Sequence, residues 1–309
     1  MIASTLPTLP AGVQILERGW LSANNIVFTG GAQTAMIDSG YCTHASQTVA
    51  LVESALNGRP LDMLANTHLH SDHCGGNAAL QDRYASLQTL IPPGHAAEVA
   101  RWDAVALTYE PTGQRCPRFR FDDVLRPGRT LQLGQQAWEV HAAKGHDPHS
   151  VIFFEPASST LISADALWEN GFGVVFPELE GEQAFAEVAA TLDLIAELGP
   201  RVVIPGHGGV FHYSGEVLGR ARTRLDSFVN NPVKHAQHAG KVLMKYKLLE
   251  VQRQPVADFM TWAMATPYFA LIHGRFFVET PFSAWLHQLI QELIRAGAAR
   301  QEETVLVNT

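Results

Sequence analysis

Short strand-like runs rich in apolar residues, bounded by polar and glycine-containing turns, fill the first two-thirds of the chain, and they predict strands. Val13–Trp20, Asn25–Thr29 and Gln33–Asp38 are strand-like in this way, with Gly30-Gly31 as a hairpin signal between the last two. Thr43–Leu56 has helical spacing and is closed by Asn57-Gly58 and Pro60. Asp62–Thr67 is a short apolar strand, and Asn77–Arg83 reads as a helix after Gly75-Gly76. Further strands are expected at Thr130–Leu133, Ala137–Ala142, Val151–Phe154, Thr160–Ser163 and Arg201–Ile204, with a helix at Glu182–Leu198. Two packed sheets flanked by helices, an α/β (α+β) arrangement, account for this order. The Pro- and Arg-rich stretch 104–122 has no periodicity and is expected to be a loop over a site.

Near Tyr213 the pattern changes from short strand-like runs to helical spacing. Glu216–Asn230, His235–Leu249, Val256–Met264 and Ser283–Ala296 predict helices, and the segment after Gly297 predicts a turn and an edge strand. The chain therefore divides into a strand-rich front part, residues 1–214, and a mainly helical, winged-helix-like appendage, residues 215–309. The large apolar residues of the appendage, Trp262, Phe276, Phe277, Phe282 and Trp285, are expected to form its core. The appendage either covers the site or makes a homodimer.

Charge narrows the class of partner. The net charge is −8, and residues 1–214 carry 11 Lys+Arg against 22 Asp+Glu, whereas residues 215–309 carry 11 against 8. An acidic front part disfavours a broad nucleic-acid surface, which needs clustered cations. No apolar run approaches the roughly 18 residues of a membrane span, and the first residues lack the basic and apolar regions of an export signal. Cys42, Cys74 and Cys116 are too few and too scattered for a disulfide framework. A cytoplasmic protein acting on a small-molecule substrate is the expectation.

The chemistry concentrates in Thr67-His68-Leu69-His70-Ser71-Asp72-His73. On an extended segment, residues 68, 70 and 72 point the same way, and a turn then brings His73 to the same pocket. Neutral imidazole and carboxylate are the usual ligands of catalytic zinc and also suit iron or manganese. Cys74 follows directly, but the histidines and aspartates suffice as donors without it. Further donors are expected at other strand ends: His146 in Gly145-His146-Asp147, Asp165 after Ile162-Ser163-Ala164, and His207 in Pro205-Gly206-His207. Asp38 ends a strand ahead of the cluster and is a candidate to orient a ligand histidine or to form an Asx turn. Trp168–Gly173 is an aromatic, glycine-rich loop that could shape an apolar pocket.

The order His-x-His-x-Asp-His, then Gly-His, then Asp after a strand, then a last His, resembles the metallo-β-lactamase superfamily over roughly residues 10–212. The motif set is similar to that of glyoxalase II-type thioesterases. The resemblance implies a four-layer αββα sandwich with the site at one edge of the sheets. It implies that His68, His70 and His146 hold one divalent metal, that Asp72, His73 and His207 hold the other, and that Asp165 bridges them. The two ions, zinc or else iron or manganese, would lie about 3.5–4 Å apart and share a hydroxide that attacks an ester-like bond. Asp72 is then both ligand and candidate base, the one residue read as catalytic. The chain departs from the family's usual Gly-His-Thr-Pro-Gly pattern at His149, which stands where glycine is common and is a candidate substrate-facing residue or a tolerated loop histidine.

Three reactions fit such a centre. Hydrolysis of a thioester, lactone or related acyl substrate is favoured by the acidic front part. Phosphodiester or nucleic-acid cleavage is disfavoured, because the 41 residues between Asp165 and His207 leave no room for the insertion common in nuclease relatives. An iron-dependent persulfide dioxygenase-type reaction is the redox alternative.

Overall fold

The structure is a computed structural model and describes residues 7–309. Residues 1–6, part of the segment read for an export signal, lie outside the described residues. The first sheet is formed by β1 (Val13–Leu16), β2 (Asn25–Phe28), β3 (Ala35–Ile37), β4 (Met63–Ala65), β5 (Gln88–Ile91) and β6 (Asp123–Val124), in that spatial order. Its first three strands pair antiparallel and the rest parallel. The second sheet contains β7 (Thr130–Leu133), β8 (Gln136–Ala142), β9 (Val151–Glu155), β10 (Thr160–Ala164), β11 (Val202–Pro205) and β12 (Phe211–His212). Only β10 and β11 pair parallel in it.

Alternation explains how the sheets stack. In β2, Ile26 and Phe28 enter the core between the sheets, while Val27 enters the core under the outer helices. In β9, Val151 and Phe153 face the other sheet, and Ile152 and Phe154 face outward onto helices. Both faces of β2 and β9 are therefore buried, which is why these strands read as nearly continuous apolar runs. Trp138 and Phe28 meet edge to face between the sheets, at 5.6 Å between ring centroids. Each fully buried side chain of this size contributes about 1.5–3 kcal/mol.

Helices α1 (Ala45–Leu56), α2 (Ser71–Cys74), α3 (Asn77–Arg83) and α4 (Ala96–Arg101) belong to the first half. Val52 and Leu56 of α1 and Leu80 of α3 cover the outer face of the first sheet. The second half adds α5 (Phe176–Glu180), α6 (Ala184–Leu198) and α7 (Gly215–Asn230). Both α6 and α7 contribute to the core outside the second sheet. The result is the four-layer αββα sandwich expected from the motif order.

Beyond it lie α8 (Pro232–Val251), α9 (Val256–Ala265), α10 (Pro267–Phe276) and α11 (Phe282–Arg295), with a small sheet of β13 (Arg253–Pro255), β14 (Ala299–Glu302) and β15 (Val305–Asn308). Trp285 and Phe269 are fully buried in this core, with Trp262, Phe276, Phe277 and Phe282 packed against it. Asn231 caps α8 by accepting from the Lys234 amide, and Pro232 occupies the first turn, where its missing N–H costs nothing.

Three expectations need correction. The strand expected over Val13–Trp20 ends at Leu16, and Trp20 stands in a turn. The single edge strand expected after Gly297 is a hairpin, β14–β15, with β13 added on its other side. Extended geometry does not continue through Asp72, because α2 begins at Ser71. The elements β5, α4, α5 and α10 were not foreseen, since each is short or lacks a long amphipathic period.

Candidate metal centre

The donors come off the C-terminal ends of strands, the end at which open α/β sheets bind ligands. Asp38 follows β3, residues 67–73 follow β4, His146 lies between β8 and β9, Asp165 follows β10, and His207 follows β11. His68 and His70 lie on the extended run after β4, whereas Asp72 and His73 lie on the single turn of α2. A bend is thus built into the motif. It turns two donors toward one set of neighbours and two toward another.

Three groups of potential donor atoms converge, with members of each within 4.8 Å of one another: His68, His70 and His146; Asp72, His73 and His207; and His68, His73 and Asp165. Asp165 reaches toward both triplets. Its Oδ1 is 3.5 Å from His73 Nε2, and its Oδ2 is 3.5 Å from His146 Nε2 and 3.9 Å from His207 Nε2. Asp72 Oδ2 lies 3.0 Å from His207 Nε2 and 3.8 Å from His73 Nε2.

Neighbouring groups fix which ring nitrogens face inward. His146 Nδ1 donates to the Val174 carbonyl. His73 Nδ1 donates to Asp38 Oδ2 at 2.8 Å. Asp38 is itself held by the Thr67 amide at 2.8 Å and the Thr67 hydroxyl at 2.7 Å. These bonds leave His73 Nε2 and His146 Nε2 buried without a hydrogen-bond partner. A buried polar atom left unpaired costs about 1–3 kcal/mol, and both atoms are aimed at Asp165, so a coordinated cation fits the donor set. Close approach also constrains glycine: a Cβ on Gly206 would lie 2.2 Å from Asp165 Oδ1, and one on Gly173 would lie 2.5 Å from His146 Nδ1.

The charge states suit coordination. Burial, reinforced by the neighbouring rings His73, His70 and His146, pushes His68 well below the ordinary histidine range. Burial and then His146 push His70 down to about 4. Burial is also the strongest influence on His73, yet Asp38, Asp165 and Asp72 together outweigh it and hold the ring well above that range. For Asp165, burial acts upward but is outweighed by His207 and His73, which hold the carboxyl well below its usual range. Asp72 is lowered in the same way, with His73 and His207 outweighing burial. His68 and His70 thus stand as neutral rings beside ionised carboxylates, as coordination requires, whereas His73 releases a proton when a cation binds.

The centre forms the floor of a cavity of about 760 Å3. Stretch 104–122 stands over it through Leu107, Thr112 and Gln114, and Ser71 donates to Gln114, tying that loop to α2. The appendage forms another wall, with Val242, Leu243, Tyr246 and Leu249 of α8 and Tyr268 of α10. Trp168 of the aromatic loop lines the cavity and donates from Nε1 to Asp165 Oδ1 at 3.3 Å.

His149 lines the cavity away from the donor groups, its ring packed at 4.4 Å on His95. Cys74 points away from the centre, toward Tyr109 Oη at 3.2 Å and Cys116 Sγ at 3.8 Å. The sequence reading missed three residues of the site. Asp147 Oδ2 stands 3.9 Å from His70 Nε2. Trp20, 57% exposed, stacks on His207 at 5.3 Å with 11° between the rings. Tyr246 approaches Ser71 Oγ at 3.3 Å. Only the Asp147 position, beside His146, carried a local signal.

The chain matches the description "Metallo-beta-lactamase superfamily" over residues 18–207, and it belongs to that superfamily. Among curated relatives, a hydroxyacylglutathione hydrolase of Acidiphilium cryptum (strain JF-5) is 30% identical over 190 residues, covering 61% of this chain and 63% of the relative. A protein of the same name from Mesorhizobium japonicum is 28% identical over 144 residues, covering 47% of each chain. The chain thus spans about half to under two-thirds of the length of the curated relatives it matches. A solved beta-lactamase domain protein from Burkholderia ambifaria shares the fold along nearly the whole molecule, with a TM-score of 0.61 at 20% identity, covering 99% of this chain and 97% of that one.

Proposed function

We propose that this protein is a dinuclear metal-dependent hydrolase that cleaves an ester-like acyl bond, with a thioester as the first candidate. The observation that carries this reading is the convergence of seven donors, in two triplets with Asp165 between them, of which His70, Asp72, His146, Asp165 and His207 line one cavity. His68, His70 and His146 would hold one ion and Asp72, His73 and His207 the other, with Asp165 shared. Zinc suits this nitrogen- and oxygen-rich set, as do iron and manganese. Two divalent ions bound there would supply Lewis acidity, drawing a water's pKa toward about 7 and polarising an acyl carbonyl.

The chain's own residues do the rest. Asp38 orients His73, and Val174 orients His146, so that a fixed nitrogen of each ring faces the centre. Asp72, on the cavity floor, is placed to take a proton from the attacking water. In the net reaction the water oxygen bonds to the acyl carbon and the carbon–sulfur bond breaks. One proton of the water leaves with the thiol. Apolar walls from Leu107, Phe176 and Val242 exclude bulk water and suit an acyl chain. The relatives named hydroxyacylglutathione hydrolase support a thioester over a lactone. The three free cysteines fit a reducing compartment such as the cytoplasm. Among the described residues, no helix is long and apolar enough to cross a membrane.

Elemental analysis of purified protein, followed by assays on thioesters, lactones, β-lactams and a phosphodiester, tests the proposal. Expected are about two metal ions per chain and thioester hydrolysis that a chelator abolishes. Activity confined to the phosphodiester, or no acyl hydrolysis by fully loaded protein, would refute it.

A further inference from the structure

On α7 the buried residues Val217, Leu218, Ala221, Leu225 and Phe228 recur at helical spacing and define an inward face. Arg224 stands on that face, three residues after Ala221 and four before Phe228. Its guanidinium lies over the rings of Phe172 and Phe228, at 5.7 and 5.3 Å. Its Nη2 donates to His238 Nε2 at 2.8 Å, and its Nε is buried without a partner. A neutral imidazole accepts a hydrogen bond from arginine but does not neutralise it. Among the described residues no carboxylate pairs with Arg224, and burial is the only influence on its titration, acting downward. A half-buried cation without a counter-ion is costly to maintain in a folded chain. Such a group is explained if a ligand supplies the missing charge.

The surroundings say where that ligand lies. Arg224, His238 and Asn170 line the main cavity above the metal centre, and they also line a shallower groove on the outer side of α7 and α8. The groove adds Arg220, Lys234 and Lys241, against a single lining carboxylate, Glu216. Lys241 is paired with Glu292 at 2.9 Å. By contrast, Arg220 donates only to the Glu169 carbonyl and Lys234 to Ser227 Oγ. A positive groove thus opens from an acidic catalytic part, with the uncompensated Arg224 at the junction. The loop that carries Asn170 and Phe172 also carries Trp168, which donates to Asp165, so groove and metal centre share one structural element.

We propose that Arg224, backed by Arg220 and Lys234, binds an anionic group, a carboxylate or a phosphate, at the end of the substrate remote from its scissile bond. The proposal rests on the acyl-hydrolase reading for the identity of that bond, but the anion subsite itself does not. A guanidinium suits either anion because its planar fork matches two oxygens at once.

Three thioesters of one acyl group test it on zinc-loaded enzyme: the neutral N-acetylcysteamine ester, the carboxylate-bearing 3-mercaptopropionate ester, and the phosphate-bearing coenzyme A ester. Expected is a KM at least about tenfold lower for one of the anionic esters, the worth of one charge-assisted hydrogen bond. Whichever ester shows it names the anion. Arg224→Gln should raise that KM far more than the KM of the neutral ester, and Arg224→Lys should restore part of the preference. Equal KM values for all three esters in the unaltered enzyme would overturn the proposal. So would an equal rise for charged and neutral esters in Arg224→Gln.

If none of the esters is hydrolysed, the acyl-hydrolase reading fails and binding alone decides the subsite. Calorimetric titration of the S-methyl thioethers of 3-mercaptopropionate and coenzyme A would then show binding that Arg224→Gln weakens about tenfold. Binding of neither, or binding unchanged in Arg224→Gln with its melting temperature intact, would overturn it.

Discussion

His73 donates its Nδ1 proton to Asp38 Oδ2 at 2.8 Å, and that bond leaves Nε2 as the nitrogen facing Asp165. Removing Asp38 leaves His73 free to rotate or to change tautomer. Asp38→Ala is expected to weaken binding of the more labile metal by about 10- to 100-fold, measured by competition with a chromophoric chelator. Unchanged affinity in a folded Asp38→Ala protein would show that the bond does not position the ligand.

Trp20 presents a different case, because its ring is mostly exposed while one face covers His207. Little packing is lost when it is truncated, so Trp20→Ala should cost no more than about 1 kcal/mol of stability. An aromatic contact of this kind contributes about 0.5–1.5 kcal/mol. The KM should therefore rise about two- to tenfold, with kcat affected less. Steady-state kinetics beside a thermal melt separates the two effects. A large fall in melting temperature would assign Trp20 to packing instead.

The apolar wall from α8 makes acyl length the variable to test. Val242 lines the cavity and is only partly buried, so Val242→Phe can extend into the open space without repacking the appendage core. Each methylene of substrate that it excludes forfeits about 0.8 kcal/mol. The KM of a long-chain ester should rise about tenfold or more while that of an acetyl ester changes little. Equal effects on both would place the acyl chain elsewhere.

Acidification should destabilise the metal-free protein. His70 titrates at about 4 when folded against 6.5 when free, because burial and His146 disfavour its charged form. His235 behaves alike at about 4, through burial and Arg224, as does His238 at about 3, through burial and then Arg224. Between those values and 6.5 the unfolded chain binds more protons than the folded one. The contribution of these groups is complete above about 6.5 and is lost as the pH falls toward 4 and 3. His73 acts in the opposite sense, stabilising below its raised value and losing that contribution as the pH rises through it. Melting temperatures of metal-free protein in steps from pH 7 to pH 4 should fall. Loading with zinc should keep all three contributions to the slope, because a coordinated His70 also binds no proton in the folded state. A flat profile for metal-free protein would contradict the burial of these rings as neutral species.

Much of the centre was legible before any coordinates. His68, His70, Asp72 and His73 occur within six residues, and His146, Asp165 and His207 each follow a recognisable strand. Short apolar runs bounded by turns marked β2, β3, β9 and β10, because both faces of those strands are buried, and alternation marked β8, which buries one face only. Helical spacing marked α6, α7, α8, α9 and α11. What stayed hidden depends on contacts far apart in the chain. The turn of α2 ends the extended run one residue after His70, and alternation over so short a segment cannot reveal it. Trp20 precedes His207 by nearly the whole catalytic part, and no local pattern links them.

By itself, then, the sequence determined which residues are candidate donors and in what order they come, the strands that carry them and the mainly helical character of residues 215–309. Those features follow from residue chemistry and from the periodicity of burial, both of which are local. Only the tertiary structure decided that Asp165 stands between the two triplets, that α8 walls the cavity above them, and that Arg224 faces that cavity without a counter-ion. An apolar or charged face records that something must cover or neutralise it, whereas the partner is chosen by packing among elements distant in the chain.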